Sequence, residues 1–120
     1  MSEHNWQVFT AEELSERVGG NKVALFEFVR SPGLSSIVYK LPAGSKDMQA
    51  PHVEDEIYFV LGGRATLRVA GQERKVAPGN ILFVRAMTIH SFFDIEEDLI
   101  VVGVFGSQSS VVRRASYSGG

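Results

Sequence analysis

Polar and apolar residues alternate along most of this chain with the period of a β-strand. The clearest run is Arg64-Ala65-Thr66-Leu67-Arg68-Val69: Ala65, Leu67 and Val69 share one face, and Arg64, Thr66 and Arg68 the other. Apolar-rich runs at Val23–Arg30 and Leu34–Leu41 flank Ser31-Pro32-Gly33, a turn sequence. Glu56–Leu61, Arg74–Ala77, Asn80–Val84, Ile89–Ile95 and Leu99–Phe105 complete the predicted strands. Ala70-Gly71-Gln72-Glu73 reads as a hairpin turn, and Pro78-Gly79 as the central pair of a type II turn. Gly44, Gly62, Gly63 and Gly79 are all assigned to turns. Ile81-Leu82-Phe83-Val84 is apolar on both faces, which places it inside a sandwich or barrel rather than at a wet edge.

One segment has helical spacing instead. Thr10-Ala11-Glu12-Glu13 has the form of a capping box, in which Thr10 accepts from the Glu13 backbone N–H and the Glu13 side chain reaches back. Leu14 and Val18 supply an apolar stripe, and Gly19-Gly20 stops the helix, which is predicted over Thr10–Val18. Short strands at close spacing imply an all-β sandwich or closed barrel. The expected division is an arm with a short helix (1–22), a barrel (23–106) and a C-terminal tail (107–120) whose Val111-Val112-Arg113-Arg114 suits an edge strand.

Composition narrows the classes. A chain of 120 residues can bury one core without staples. The absence of Cys removes disulfides and thiolate-ligated metal sites. Twelve Lys and Arg against 14 Asp and Glu leave a formal charge of −2, far from the basic footprint of a nucleic-acid binder. No run approaches the roughly 18–20 apolar residues of a membrane helix. The first residues lack the basic flank and apolar run of a signal peptide, so a cytoplasmic location is expected.

The chemistry concentrates in His52, Glu56 and His90. His52 and Glu56 lie four apart, so in a regular strand both face the same side. His90 sits in another strand, within Ile89-His90-Ser91-Phe92-Phe93. Two imidazoles and one carboxylate suit Fe(II), Mn, Ni, Zn or Cu without discriminating among them. Taken singly, each His has a simpler reading as a surface or satisfied core residue. Tyr58 continues the face of Glu56 and is a candidate hydrogen-bond donor to substrate. Arg85 is a candidate carboxylate clamp, although a solvated loop arginine is the commoner use of such a residue. Phe92, two residues after His90, is the candidate pocket wall.

The run from Gly44 to Asp94 resembles the two motifs of the cupin superfamily. The first motif is Gly, five residues, His-x-His, three or four residues, Glu, six residues, Gly; here it reads Gly44, Ala50, His52, Glu56, Gly63, with Ala50 in place of the first His. The second is Gly, five residues, Pro-x-Gly, two residues, His, three residues, Asn; here it reads Gly79, Arg85, Met87, His90, Asp94. The resemblance spans roughly Ser35 to Phe105 and implies a single jelly-roll β-barrel of the small bacterial type.

It also implies a metal site, here reduced to His52, Glu56 and His90, with Gln49 or Glu54 as candidate substitute ligands. The implied activity is that of a metal-dependent small-molecule enzyme. A non-haem dioxygenase with iron comes first, and a non-redox isomerase or lyase second. A non-catalytic ligand-binding barrel is the third reading, motivated by Ala50. The barrel would act on a small molecule and pair as a homodimer, with the apolar strand at Val23–Val29 compatible with such pairing.

Overall fold

The computed structural model describes residues 5–47 and 53–106. One helix, α1 (Ala11–Arg17), precedes six strands: β1 (Ala24–Arg30), β2 (Leu34–Leu41), β3 (Glu56–Val69), β4 (Gln72–Val76), β5 (Ile81–Val84) and β6 (His90–Gly106). Pairing runs β1-β2-β6-β3-β4, with β5 also on β3, and every pair is antiparallel. The protein is all-β with a jelly-roll arrangement and one short helix.

The long β3–β6 ribbon organises the fold. It pairs from Glu56↔Phe105 to Val69↔His90, with register breaks between Val60 and Thr66. Gly62-Gly63 was expected to be a turn that divides two strands; instead β3 runs through it. Gly63 has φ +85°, and a Cβ there would lie 2.1 Å from the Asp98 carbonyl oxygen. The glycines therefore make a bulge and a close backbone crossing inside one strand. The predicted Ile89–Ile95 and Leu99–Phe105 likewise merge into β6, which runs on through Asp94 at φ 52°.

The ribbon bends back on itself. Its first half joins β1, β2 and β5 in one layer; its second half joins β4 in the other. Ile37, Tyr39, Leu41, Tyr58, Val60, Leu67, Phe92 and Leu99 are among the residues buried between the layers. Each such side chain contributes roughly 1.5–3 kcal/mol of burial.

The turns obey their residues. Ala70 (φ 50°) and Gly71 (φ 85°) link Val69 to its partner Gln72 with both φ positive, the two-residue hairpin that matches strand twist. Asn80 N–H donates to the Ala77 carbonyl (3.1 Å) around Pro78 and Gly79 (φ 93°), as a type II turn requires. At α1 both capping-box bonds form: Thr10 N–H to Glu13 Oε1 (2.8 Å) and Glu13 N–H to Thr10 Oγ1 (3.0 Å). A seven-residue helix is not stable alone. Leu14 and Val18 dock it on Val38, Phe26, Phe28 and Val102, on the outer face of the first layer.

β5 departs from expectation. Its Ile81 and Phe83 are 66% and 63% exposed, beside half-exposed Ile57 and Phe59 on β3. Among the described residues β5 is an edge strand, and of its side chains only Leu82 and Val84 turn inward. The Val111–Arg114 edge strand lies outside the described residues. Among the described residues no helix is long and apolar enough to cross a membrane.

Candidate metal centre

Glu56, Tyr58 and His90 meet between the layers. Glu56 and Tyr58 alternate inward at the start of β3, 1% and 0% exposed, and His90 begins β6, 5% exposed. An extended β3 would hold His90, the partner of Val69, on the order of 40 Å from Glu56. Because the ribbon folds over, His90 Nε2 lies 3.6 Å from Glu56 Oε1 and 3.2 Å from the Tyr58 hydroxyl.

The second ring nitrogen sets the tautomer. His90 Nδ1 is 2.8 Å from the Thr88 carbonyl oxygen, which can only accept. Nδ1 therefore carries the proton in the neutral ring, and the Nε2 lone pair faces Glu56 and the Tyr58 hydroxyl, which donates to it. The Glu56 carboxylate raises the His90 pKa above its ordinary value; burial works against this, and the Thr88 carbonyl and more distant Asp47 charge add to it.

Two further groups hold the centre. Asp47 bridges the layers: Oδ1 accepts from the Tyr39 hydroxyl (3.0 Å) and Oδ2 from the Phe92 N–H (2.9 Å). Burial, then Asp47, pushes the Tyr39 pKa above its usual range, so the phenol stays a donor. Gly103 on β6 makes room for the carboxylate. A Cβ there would sit 2.8 Å from Glu56 Oε2 and 3.4 Å from the Tyr58 ring. Phe92 packs edge-on against Tyr58, with ring centroids 5.2 Å apart, and closes the inner wall.

A buried carboxylate beside an imidazole lone pair, with a glycine cradle behind it, fits a divalent cation. His52, the third expected ligand, lies outside the described residues, as do Gln49 and Ala50. Among the described residues no group of three His, Asp or Glu could hold a metal, so Glu56 and His90 are the described part of the set. Glu54 lies half-buried in the bend before β3. Arg85 is exposed in the loop between β5 and β6, its carbonyl accepting from Thr88 N–H (3.2 Å).

Sequence reasoning missed Asp47, Thr88 and Gly103. Of these only Gly103 had a signal: an isolated glycine in the apolar run Val101-Val102-Gly103-Val104-Phe105 marks a close approach. Asp47 and Thr88 act through partners that only the folded chain supplies.

A family model described as the cupin domain matches residues 37–105. The chain belongs to the cupin family. An uncharacterised protein from Streptomyces coelicolor is 38% identical over 104 residues, covering 87% of this chain and 99% of that protein. Among solved structures, an RmlC-like cupin family protein with a double-stranded β-helix fold from Methanocaldococcus jannaschii superposes with a TM-score of 0.71. It shares 15% identity and covers 92% of this cupin and 99% of its own chain. The DMSP lyase DddQ of Ruegeria pomeroyi superposes with a TM-score of 0.68 at 22% identity, over 74% of this cupin. This cupin spans about half (49%) of the DddQ chain. At these identities the structures establish the fold alone.

Proposed function

We propose that this cupin is a metal-dependent enzyme acting on a small molecule by proton transfer, as an isomerase or lyase does. The observation that carries the reading is the Tyr58 hydroxyl 3.2 Å from His90 Nε2, beside the Glu56 carboxylate and buried from water. His52, Glu56 and His90 would hold a divalent transition metal, which supplies Lewis-acid polarisation of a substrate oxygen. Thr88 and Gly103 orient the imidazole and the carboxylate toward it. Tyr58 holds a transferable proton where a substrate atom would arrive, and Phe92 excludes water behind it. The likeness to a fold neighbour named as a lyase is consistent with this reading.

The donor set supports a second reading. Two His and one carboxylate leave open positions for a substrate and O₂, the arrangement of non-haem iron dioxygenases. The metal and the oxygen requirement separate the two. Elemental analysis of protein purified without added metal should find near one metal per chain, lost in His52→Ala and His90→Ala. Tyr58→Phe should keep the metal and lose turnover. Iron together with an absolute need for O₂ would select the dioxygenase. Full metal content in His90→Ala would overturn the ligand assignment. A wild type that stays empty after reconstitution would leave a ligand-binding barrel.

The same fold supports a homodimer. Ile57, Phe59, Ile81 and Phe83 form a contiguous apolar face at the β5 edge, and Leu25 on β1 is 56% exposed. Covering this face by a second copy would bury it.

A further inference from the structure

The two layers are tied along one side by the segment after β2. Gly44 N–H donates to the Ile95 carbonyl (3.0 Å), and Asp47 reaches Phe92. Along the other side β4 borders one layer and β5 the other, and among the described residues no pairing joins them. A cleft of about 390 Å³ opens there, lined by Leu67, Val69, Arg74, Val76 and Leu82 among others.

Strand register shows where the cleft leads. Leu82 pairs with Tyr58, and Val69 pairs with His90. Cross-strand partners share a face. Two residues of the cleft are therefore the inward neighbours of two groups at the centre. Arg74 pairs with Leu67, a buried core residue, so it too projects from the inner face of its layer. The other cations near it are engaged: Arg68 with Glu73 (2.8 Å), Lys75 with Glu96 (4.0 Å) and Arg64 with Glu97 (3.2 Å). Arg74 makes no ion pair or hydrogen bond among the described residues.

We propose that Arg74 anchors the anionic end of the substrate, a small carboxylate whose body lies against Leu67, Val69, Val76 and Leu82. Its reacting end meets Tyr58 and His90, so the assignment rests on the reading of that centre given above. A guanidinium presents paired donors that match both oxygens of a carboxylate. Two strand spacings and a two-residue offset set the Arg74 and His90 Cα atoms about 12 Å apart. That separation suits a short-chain carboxylate lying along the cleft.

The test uses the metal-free chain, with butanoate and its uncharged isostere butanamide as probes. Amide NMR shifts are followed in wild type, Arg74→Gln and Arg85→Gln, and zinc affinity is measured on the same samples. Butanoate should shift the Val69, Arg74 and Leu82 amides saturably and bind about tenfold more tightly than butanamide. Arg74→Gln should erase that preference and leave zinc affinity unchanged. Equal binding of the two probes to wild type would overturn the proposal. So would a preference that survives in Arg74→Gln, or one that is lost in Arg85→Gln instead. A wild type that binds no zinc would sink the metal reading separately, because the probe measurement needs no metal.

Discussion

Replacing Gly103 by alanine adds one methyl group to β6 and tests how Glu56 is held. The backbone at Gly103 does not need glycine, because its φ is outside the positive region. In an open strand position the change would be neutral or mildly stabilising, by roughly 0.5–1 kcal/mol. Here the new Cβ would meet Glu56 Oε2 at 2.8 Å, with the Tyr58 ring at 3.4 Å and Ile37 Cγ1 at 3.5 Å behind it. Ordinary contact begins near 3.4 Å, so the carboxylate, itself only 1% exposed, must retreat by more than half an ångström.

Overpacking of this kind costs about 1–3 kcal/mol, which for a chain of this size lowers Tm by about 4–12 °C. Displacing the carboxylate should also weaken zinc binding by about 10–100-fold, the usual effect of disturbing a ligand's support. The assay is urea unfolding and zinc titration of Gly103→Ala beside Gly106→Ala, a β6 glycine with nothing within 4 Å of its would-be Cβ. Gly106→Ala should leave zinc affinity unchanged and stability equal to wild type or slightly higher. Wild-type stability and zinc affinity in Gly103→Ala would refute the cradle.

Three further outcomes follow from the same geometry. His90 has a raised folded pKa, so its contribution to apoprotein stability is complete below pH 6.5, its unperturbed value, and is lost as pH rises through the folded value. The unfolding free energy of the metal-free protein should therefore fall as pH rises above 6.5, and His90→Gln should flatten that slope; a slope unchanged by the substitution would refute the assignment. Met87 stands at φ 61°, exposed, where the cupin motif has glycine, so Met87→Gly should stabilise by about 0.5–1 kcal/mol in denaturant unfolding, the relief of left-handed strain exceeding the added freedom of the unfolded chain. Phe83→Asp should convert a dimer to a monomer in light scattering without lowering Tm steeply, since the side chain is 63% exposed; a monomeric wild type would remove the dimer.

The alternation of Arg64–Val69 and the residues of the Ala70-Gly71 and Pro78-Gly79 turns were enough to place strands and hairpins, because period and turn chemistry are local. The capping box at Thr10 was legible for the same reason. The Gly62-Gly63 pair was not. A glycine at positive φ serves a turn or a bulge equally, and only the approach of Asp98 from β6 decides between them. Nor could the apolar run Ile81–Val84 show that one of its faces points outward at an edge. Local pattern reports how apolar a segment is, not what covers it.

The candidate site divides in the same way. Glu56, Tyr58 and His90 could be named from residue type and motif spacing, since strand parity puts Glu56 and Tyr58 on one face and the motif register picks out His90. The sequence by itself determined the family, most of the strands and turns, and the candidate donor residues. Only the tertiary structure decided that His90 crosses the ribbon to face Glu56, that Thr88 turns its lone pair inward, and that Gly103 leaves the carboxylate its space. It alone put Arg74 on the inner face of an open cleft. Each of these depends on a contact between residues far apart in the chain, and such contacts exist only once the ribbon has folded over.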